Sequence, residues 1–138
     1  MSDRRQVELS RSGAGTFVAT NARGGTLSMG TGESDDFTPV ELLLAAIAGC
    51  SAVDVDLLTA RRAEPVEFEA TASGVKVRDE HGNHMNDLEV TFRVRFPEGE
   101  GGDEAREMLP RAVEMSRDRL CTVSRTVSLA TEITMRSE

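Results

Sequence analysis

The stretch TPVELLLAAIAGC, Thr38 to Cys50, constrains the fold more than any other part of the chain. Thr38 can cap a helix, and Pro39 suits its first turn because the missing N–H would have no partner there. Glu41 stands three residues after the cap, where its carboxylate can return a hydrogen bond and close a capping box. The spacing predicts a helix running on to Arg61 and Arg62, whose charges suit the negative end of the helix dipole. From Leu42 to Cys50 it is apolar around its whole girth and needs cover on several sides. One small sheet offers too little, so a second copy of the chain is expected to supply the rest, as a homodimer.

The flanking segments read as sheet and a second helix. Val7–Ser10, Thr16–Thr20 and Thr26–Met29 are short β-prone runs separated by glycines, the pattern of a small antiparallel meander. After Pro65, Val66, Phe68, Ala70 and Ala72 lie on one face of a strand that is expected to continue through Val75 and Val77, and a turn is predicted from Asp79 to Asn83. Leu88, Val90, Phe92, Val94 and Phe96 then alternate with Glu89, Thr91, Arg93 and Arg95, giving one buried and one wet face. Asp103 is placed to cap a second helix that turns Met108, Leu109, Ala112 and Val113 inward, and Pro110 should kink or split it. Val127, Leu129, Ile133 and Met135 predict a closing strand. The expected class is α+β: antiparallel sheets packed with a long buried central helix and a second helix, in one domain over residues 1–138.

Charge narrows the partners. The net charge of −8, from 24 acidic and 16 basic residues spread along the chain, argues against nucleic acid or an anionic membrane. No signal-like leader is visible, and no run of about 18 consecutive apolar residues is present, so a cytoplasmic location is expected. In a reducing compartment, Cys50 and Cys121 are expected to be free or redox-active rather than a permanent crosslink. A zinc site joining them to His81 and His84 is not expected, because the close cysteine spacing of structural zinc sites is missing.

Three segments in order, TPVELLLAAIAGCSAVDV, LEVTFRVRF and SRDRLCTVSRTV, resemble successive signatures of the OsmC/Ohr family. The resemblance implies an intertwined homodimer. In the peroxide-reducing members it further implies a thiol peroxidase acting on organic hydroperoxides, with a dithiol, lipoyl or otherwise, as reductant and no cofactor or metal. Carried over residue by residue, Cys50 would be the peroxidatic thiol and Cys121 the resolving one. The chemistry is coherent: a thiolate attacks the O–O bond to give a sulfenic acid, which a second thiol condenses into a disulfide. It requires the end of the second helix to pack against the middle of the first, with Cα atoms about 4.4–6.8 Å apart.

The match departs from the peroxide-reducing pattern at the activating charges. Those relatives place a glutamate directly after the helix-start proline and an arginine ahead of the helix. This chain has Val40 after Pro39 and no arginine between Arg23 and Cys50. Arg61, Arg62, Arg119 and Arg125 are the open candidates, while Asp54, one turn after Cys50, would raise its pKa. These features suggest a divergent branch that resembles the YhfA-like proteins. Two readings stand: a cysteine-based hydroperoxide reductase, or a non-enzymatic dimeric binding or stress-associated protein in which the cysteines are structural.

Overall fold

The computed structural model describes residues 3–138 and divides them into two compact units, one ending at Leu43 and one beginning at Leu44. The first unit is an antiparallel meander of β1 (Val7–Gly13), β2 (Thr16–Asn21) and β3 (Thr26–Met29), with β2 in the middle. Its register pairs Leu9 with Ala19 and Ala19 with Leu27, so the apolar residues share one face. Asn21 shapes the second turn: its side-chain oxygen accepts hydrogen bonds from the N–H groups of Arg23 (3.0 Å) and Gly25 (2.9 Å).

The expected capping box closes this unit. Glu41 N–H donates to Thr38 Oγ1 at 3.2 Å, and Thr38 N–H donates to the Glu41 carboxylate at 2.8 Å. The helix it starts, α1 (Pro39–Thr59), crosses into the second unit. It ends slightly earlier than the sequence suggests, but Arg62 folds back and donates from Nη1 to the Leu58 carbonyl (3.3 Å), serving the helix end as anticipated. By length and composition α1 is apolar enough to cross a membrane, which corrects the expectation that no segment is. The expectation sought an unbroken apolar run, whereas here a few small and acidic residues dilute an otherwise apolar helix. Its stripe Ile47, Ser51, Val55 and Thr59 is nevertheless buried at i, i+4 spacing, as in a core helix of a globular protein.

The second unit adds a long hairpin of β4 (Glu67–Asp79) and β5 (Gly82–Arg95). Phe68 and Phe92 meet edge to face with centroids 6.2 Å apart, and Arg93 pairs with Glu69 on the wet face at 2.9 Å. The strand alternation thus holds, with a bulge between Ser73 and Val75 opposite Asp87. Asp87 takes φ 53, and a Cβ on Gly74 would meet Leu88 Cδ2 at 2.8 Å, which explains the glycine.

Three expectations about the C-terminal third are corrected. Helix α2 spans Glu100–Met115, beginning ahead of Asp103, because Gly99 reverses the chain at φ 117. Asp103 lies in its first turn and pairs with Arg106 at 2.6 Å. A Cβ on Gly102 would collide with the Pro97 carbonyl oxygen, so the tight entry to α2 depends on that glycine. Pro110 does not split the helix, since it removes one hydrogen bond while Ala105 and Ala112, fully buried on either side, hold both halves in place. The inward face otherwise follows the expected positions. A π-helical turn, Ser116–Leu120, follows, and Cys121 then starts a short helix α3 (Thr122–Ser128) where the alternation had suggested a strand. Leu129 to Glu138 has no regular structure, and Leu129, Ile133 and Met135 are exposed. A strand needs a paired edge, and none within the described residues pairs this segment; local capping at Cys121 decides its first half instead.

Candidate functional site

Cys50 is near the middle of α1, where the helix is already regular: its own backbone N–H is committed within the helix, and its side chain is half-buried. Cys121 arrives by a different route. The π-helical turn closes with Cys121 N–H donating to the Ser116 carbonyl at 2.9 Å, and the backbone then opens to φ −75, ψ 102. This places a fully buried thiol at the N-cap of α3. Both cysteines are free, and their Sγ atoms lie within 4.8 Å of each other and of an Asp54 carboxylate oxygen. The end of the second helical segment therefore does reach the middle of the first.

The two thiols have opposite electrostatics. Burial pushes the Cys50 thiol up from its ordinary value, against a hydrogen bond from the Val123 backbone; contact with Cys121 and the negative charge of Asp54 push it further. Burial also acts on Cys121, yet hydrogen bonds from Ser124, Ser51, the Ser124 backbone and Cys50 outweigh it, and the net direction is down. Ser124 N–H lies 3.4 Å and its Oγ 3.2 Å from Cys121 Sγ. In the thiol form the S–H donates to that hydroxyl, and in the thiolate form the hydroxyl turns to donate to sulfur. Of the two thiols, Cys121 is therefore the one that gives up its proton first, and Cys50, the more accessible sulfur, holds its proton more firmly.

Asp54 is held in turn: Ser116 Oγ donates to its Oδ2 at 2.9 Å, joining α1 to the start of the π-helical turn. Ser116 is almost wholly buried. Ser51, Ser116 and Ser124 were not singled out from sequence. Ser124 had a visible signal, three residues after Cys121 in the spacing of a cap and its recipient, whereas nothing in the sequence links Ser116 to Asp54.

Two of the four arginine candidates are engaged elsewhere. Arg62 reaches Leu58, and Arg125 Nη1 donates to the Asp118 carbonyl at 3.0 Å. His81 and His84 lie at the β4–β5 turn beside Glu80 and Asp79, as a surface decoration.

A cavity of about 330 Å³ is walled by Ile47, Val90, Phe92 and Val113, and neither cysteine lines it directly. Ser51 and Ser124, the two hydroxyls that touch Cys121, form part of its polar lining, together with Arg117. Arg117 is itself paired with Asp118 at 2.8 Å, which lowers the carboxyl pKa of Asp118 and raises that of the guanidinium.

Comparison with known proteins agrees with this architecture. The chain is 30% identical over 135 residues to an uncharacterized protein of Mycobacterium tuberculosis, covering 94% of this chain and 93% of the relative. It is 29% identical over 121 residues to the protein YhfA of Escherichia coli, covering 86% of each. A hypothetical protein of Aquifex aeolicus superimposes with a TM-score of 0.74 at 26% identity, over 94% of this chain and 91% of that one. The organic hydroperoxide resistance protein OhrB of Bacillus subtilis shares the fold at a TM-score of 0.55 and 16% identity, over 90% of each chain. The family model for OsmC-like proteins matches residues 30–136, a span that holds α1, the hairpin and both cysteines, and the chain belongs to that family.

Proposed function

We propose that the protein is a thiol-dependent peroxidase that reduces organic hydroperoxides, with Cys50 as the attacking thiol and Cys121 as the resolving one. The observation that carries this reading is a half-buried sulfur within 4.8 Å of a buried sulfur that ionises more readily. In the reaction the Cys121 thiolate takes the Cys50 proton as Cys50 attacks the distal peroxide oxygen. The O–O bond breaks, the alkoxide leaves and is protonated to the alcohol, and Cys50 becomes a sulfenic acid. Cys121 then attacks that sulfur, water leaves, and the disulfide forms. Two thiols and one hydroperoxide give one disulfide, one alcohol and one water, and a dithiol reductant returns the pair to the start. The largely apolar cavity lined by Ser51 and Ser124, the hydroxyls that reach Cys121, favours an organic substrate over hydrogen peroxide.

The reading includes a cytoplasmic homodimer. Val53 (58% exposed) and Leu57 (61%) leave one side of α1 open, and Ile133 and Met135 stand out on the C-terminal segment, apolar surface that a second copy can cover. A second reading, a non-enzymatic dimeric binding protein, is favoured by the raised pKa of Cys50, which slows attack at neutral pH.

A stoichiometric titration of the reduced protein with cumene hydroperoxide, and separately with hydrogen peroxide, tests the choice by free-thiol count and intact mass. The expected result is rapid loss of both thiols and of two hydrogens in mass, absent in Cys50→Ser and replaced by sulfenic or overoxidised species in Cys121→Ser. Survival of both thiols in excess peroxide sinks the peroxidase and leaves the binding protein.

A further inference from the structure

We infer that Cys50, Asp54 and Cys121 form a binding site for a thiophilic divalent cation, zinc by preference, in the reduced protein. The three side chains each offer one ligand atom, and all of these atoms lie within 4.8 Å of one another. Cys50 and Asp54 stand at i and i+4 on α1, a spacing that turns two ligands to one side of a rigid helix. Cys121 comes from the separate break after the π-helical turn, so the site crosslinks two elements 71 positions apart in number, from residue 50 to residue 121.

The distances suit a tetrahedral ion after small side-chain rotations. With Zn–S bonds of about 2.3 Å, two sulfurs on one tetrahedral ion are about 3.8 Å apart, so each ligand atom moves by roughly 1 Å or less. Binding the cation releases the thiol protons, and two thiolates with one carboxylate leave the fourth position open to water or a small ligand, the arrangement of three-ligand zinc sites. Supporting contacts are already made: Ser116 Oγ donates to Asp54 Oδ2 at 2.9 Å, and Ser124 and Ser51 hydroxyls reach Cys121. Contacts of that kind orient ligands around a bound ion. The histidines at 81 and 84 take no part, since they sit at the hairpin turn. Close cysteine spacing in sequence, whose lack argued against a metal, is one way to bring two sulfurs together, and this fold does so by another.

This inference does not rest on peroxidase activity, and its test contains no peroxide. The full-length reduced protein is titrated with CdCl2, reading the ultraviolet thiolate-to-metal charge-transfer band, and with ZnCl2 by calorimetry. One ion per chain and a charge-transfer band are expected. Asp54→Asn keeps both sulfurs and the size of the side chain and should weaken binding at least about tenfold; Ser116→Ala should weaken it about tenfold as a supporting contact. Cys50→Ala should abolish the band's two-sulfur intensity, whereas His81→Ala should change nothing. Absence of the band, or equal affinity in the wild type, Asp54→Asn and Cys50→Ala, overturns the site.

Discussion

The two stretches that carry the cysteines solve the same problem with different backbone resources. Around Cys50 the helix is regular, its amides are spent on the helix itself, and the thiol receives one backbone hydrogen bond, from Val123. Around Cys121 the helix has just broken, the backbone is extended, and the following turn offers an N–H and a hydroxyl from Ser124. Helix starts have unpaired donors and helix middles do not. The buried sulfur therefore ionises more readily than the half-buried one, the reverse of what burial alone would give.

The contact that ties these two regions together should give the largest effect when broken. Ser116 is buried at 1% exposure, and its hydroxyl is the partner found for the Asp54 carboxylate across 62 positions of sequence. Hydrogen bonds to charged groups are worth about 1.5–3 kcal/mol, so Ser116→Ala should destabilise the protein by about 2 kcal/mol in urea unfolding. If the midpoint does not move, Asp54 is equally well solvated without it, and the two regions are less coupled than the geometry indicates.

How far this site was legible in the sequence follows from the range of each interaction. The Thr38–Glu41 capping box and the β4–β5 alternation depend on neighbours within a few residues, and both were readable. The pairing of Cys50 with Cys121 was reached through family resemblance, since nothing in local spacing brings them together. The Ser116–Asp54 bond, acting over a long separation between two unremarkable polar residues, left no pattern. The even spacing of Val127, Leu129, Ile133 and Met135 misled because alternation states which face a strand would present, while pairing requires an edge that local sequence does not encode. In its absence the cap at Cys121 wins as far as Ser128.

A smaller effect should isolate the donors at Cys121. In a Cys50→Ser background, where one thiol remains, Ser124→Ala removes the hydroxyl but leaves the Ser124 N–H in place. Losing a hydrogen bond to a charged sulfur should shift the midpoint of the thiolate ultraviolet absorbance upward by about one pH unit. An unchanged midpoint would assign the lowered pKa of Cys121 to the Ser124 N–H and the Ser51 hydroxyl.

The smallest effect is the most direct test of the contrast, because the two thiols should bend stability with pH in opposite senses. Cys50 in the folded protein lies above its ordinary value of 9.0, so its contribution is fully present below that value and is lost as pH rises through the folded one. Cys121 lies below 9.0 when folded, so its contribution is present above that value and is lost as pH falls through the folded one. Against a Cys50→Ser/Cys121→Ser double variant, the Cys121→Ser protein should therefore lose stability as pH is raised across the thiol range, and the Cys50→Ser protein should gain it. Urea midpoints measured on both sides of that range read the two slopes. Slopes of the same sign would mean that the thiols share one environment, and that the break in the helix before Cys121 does not set the charge of the pair.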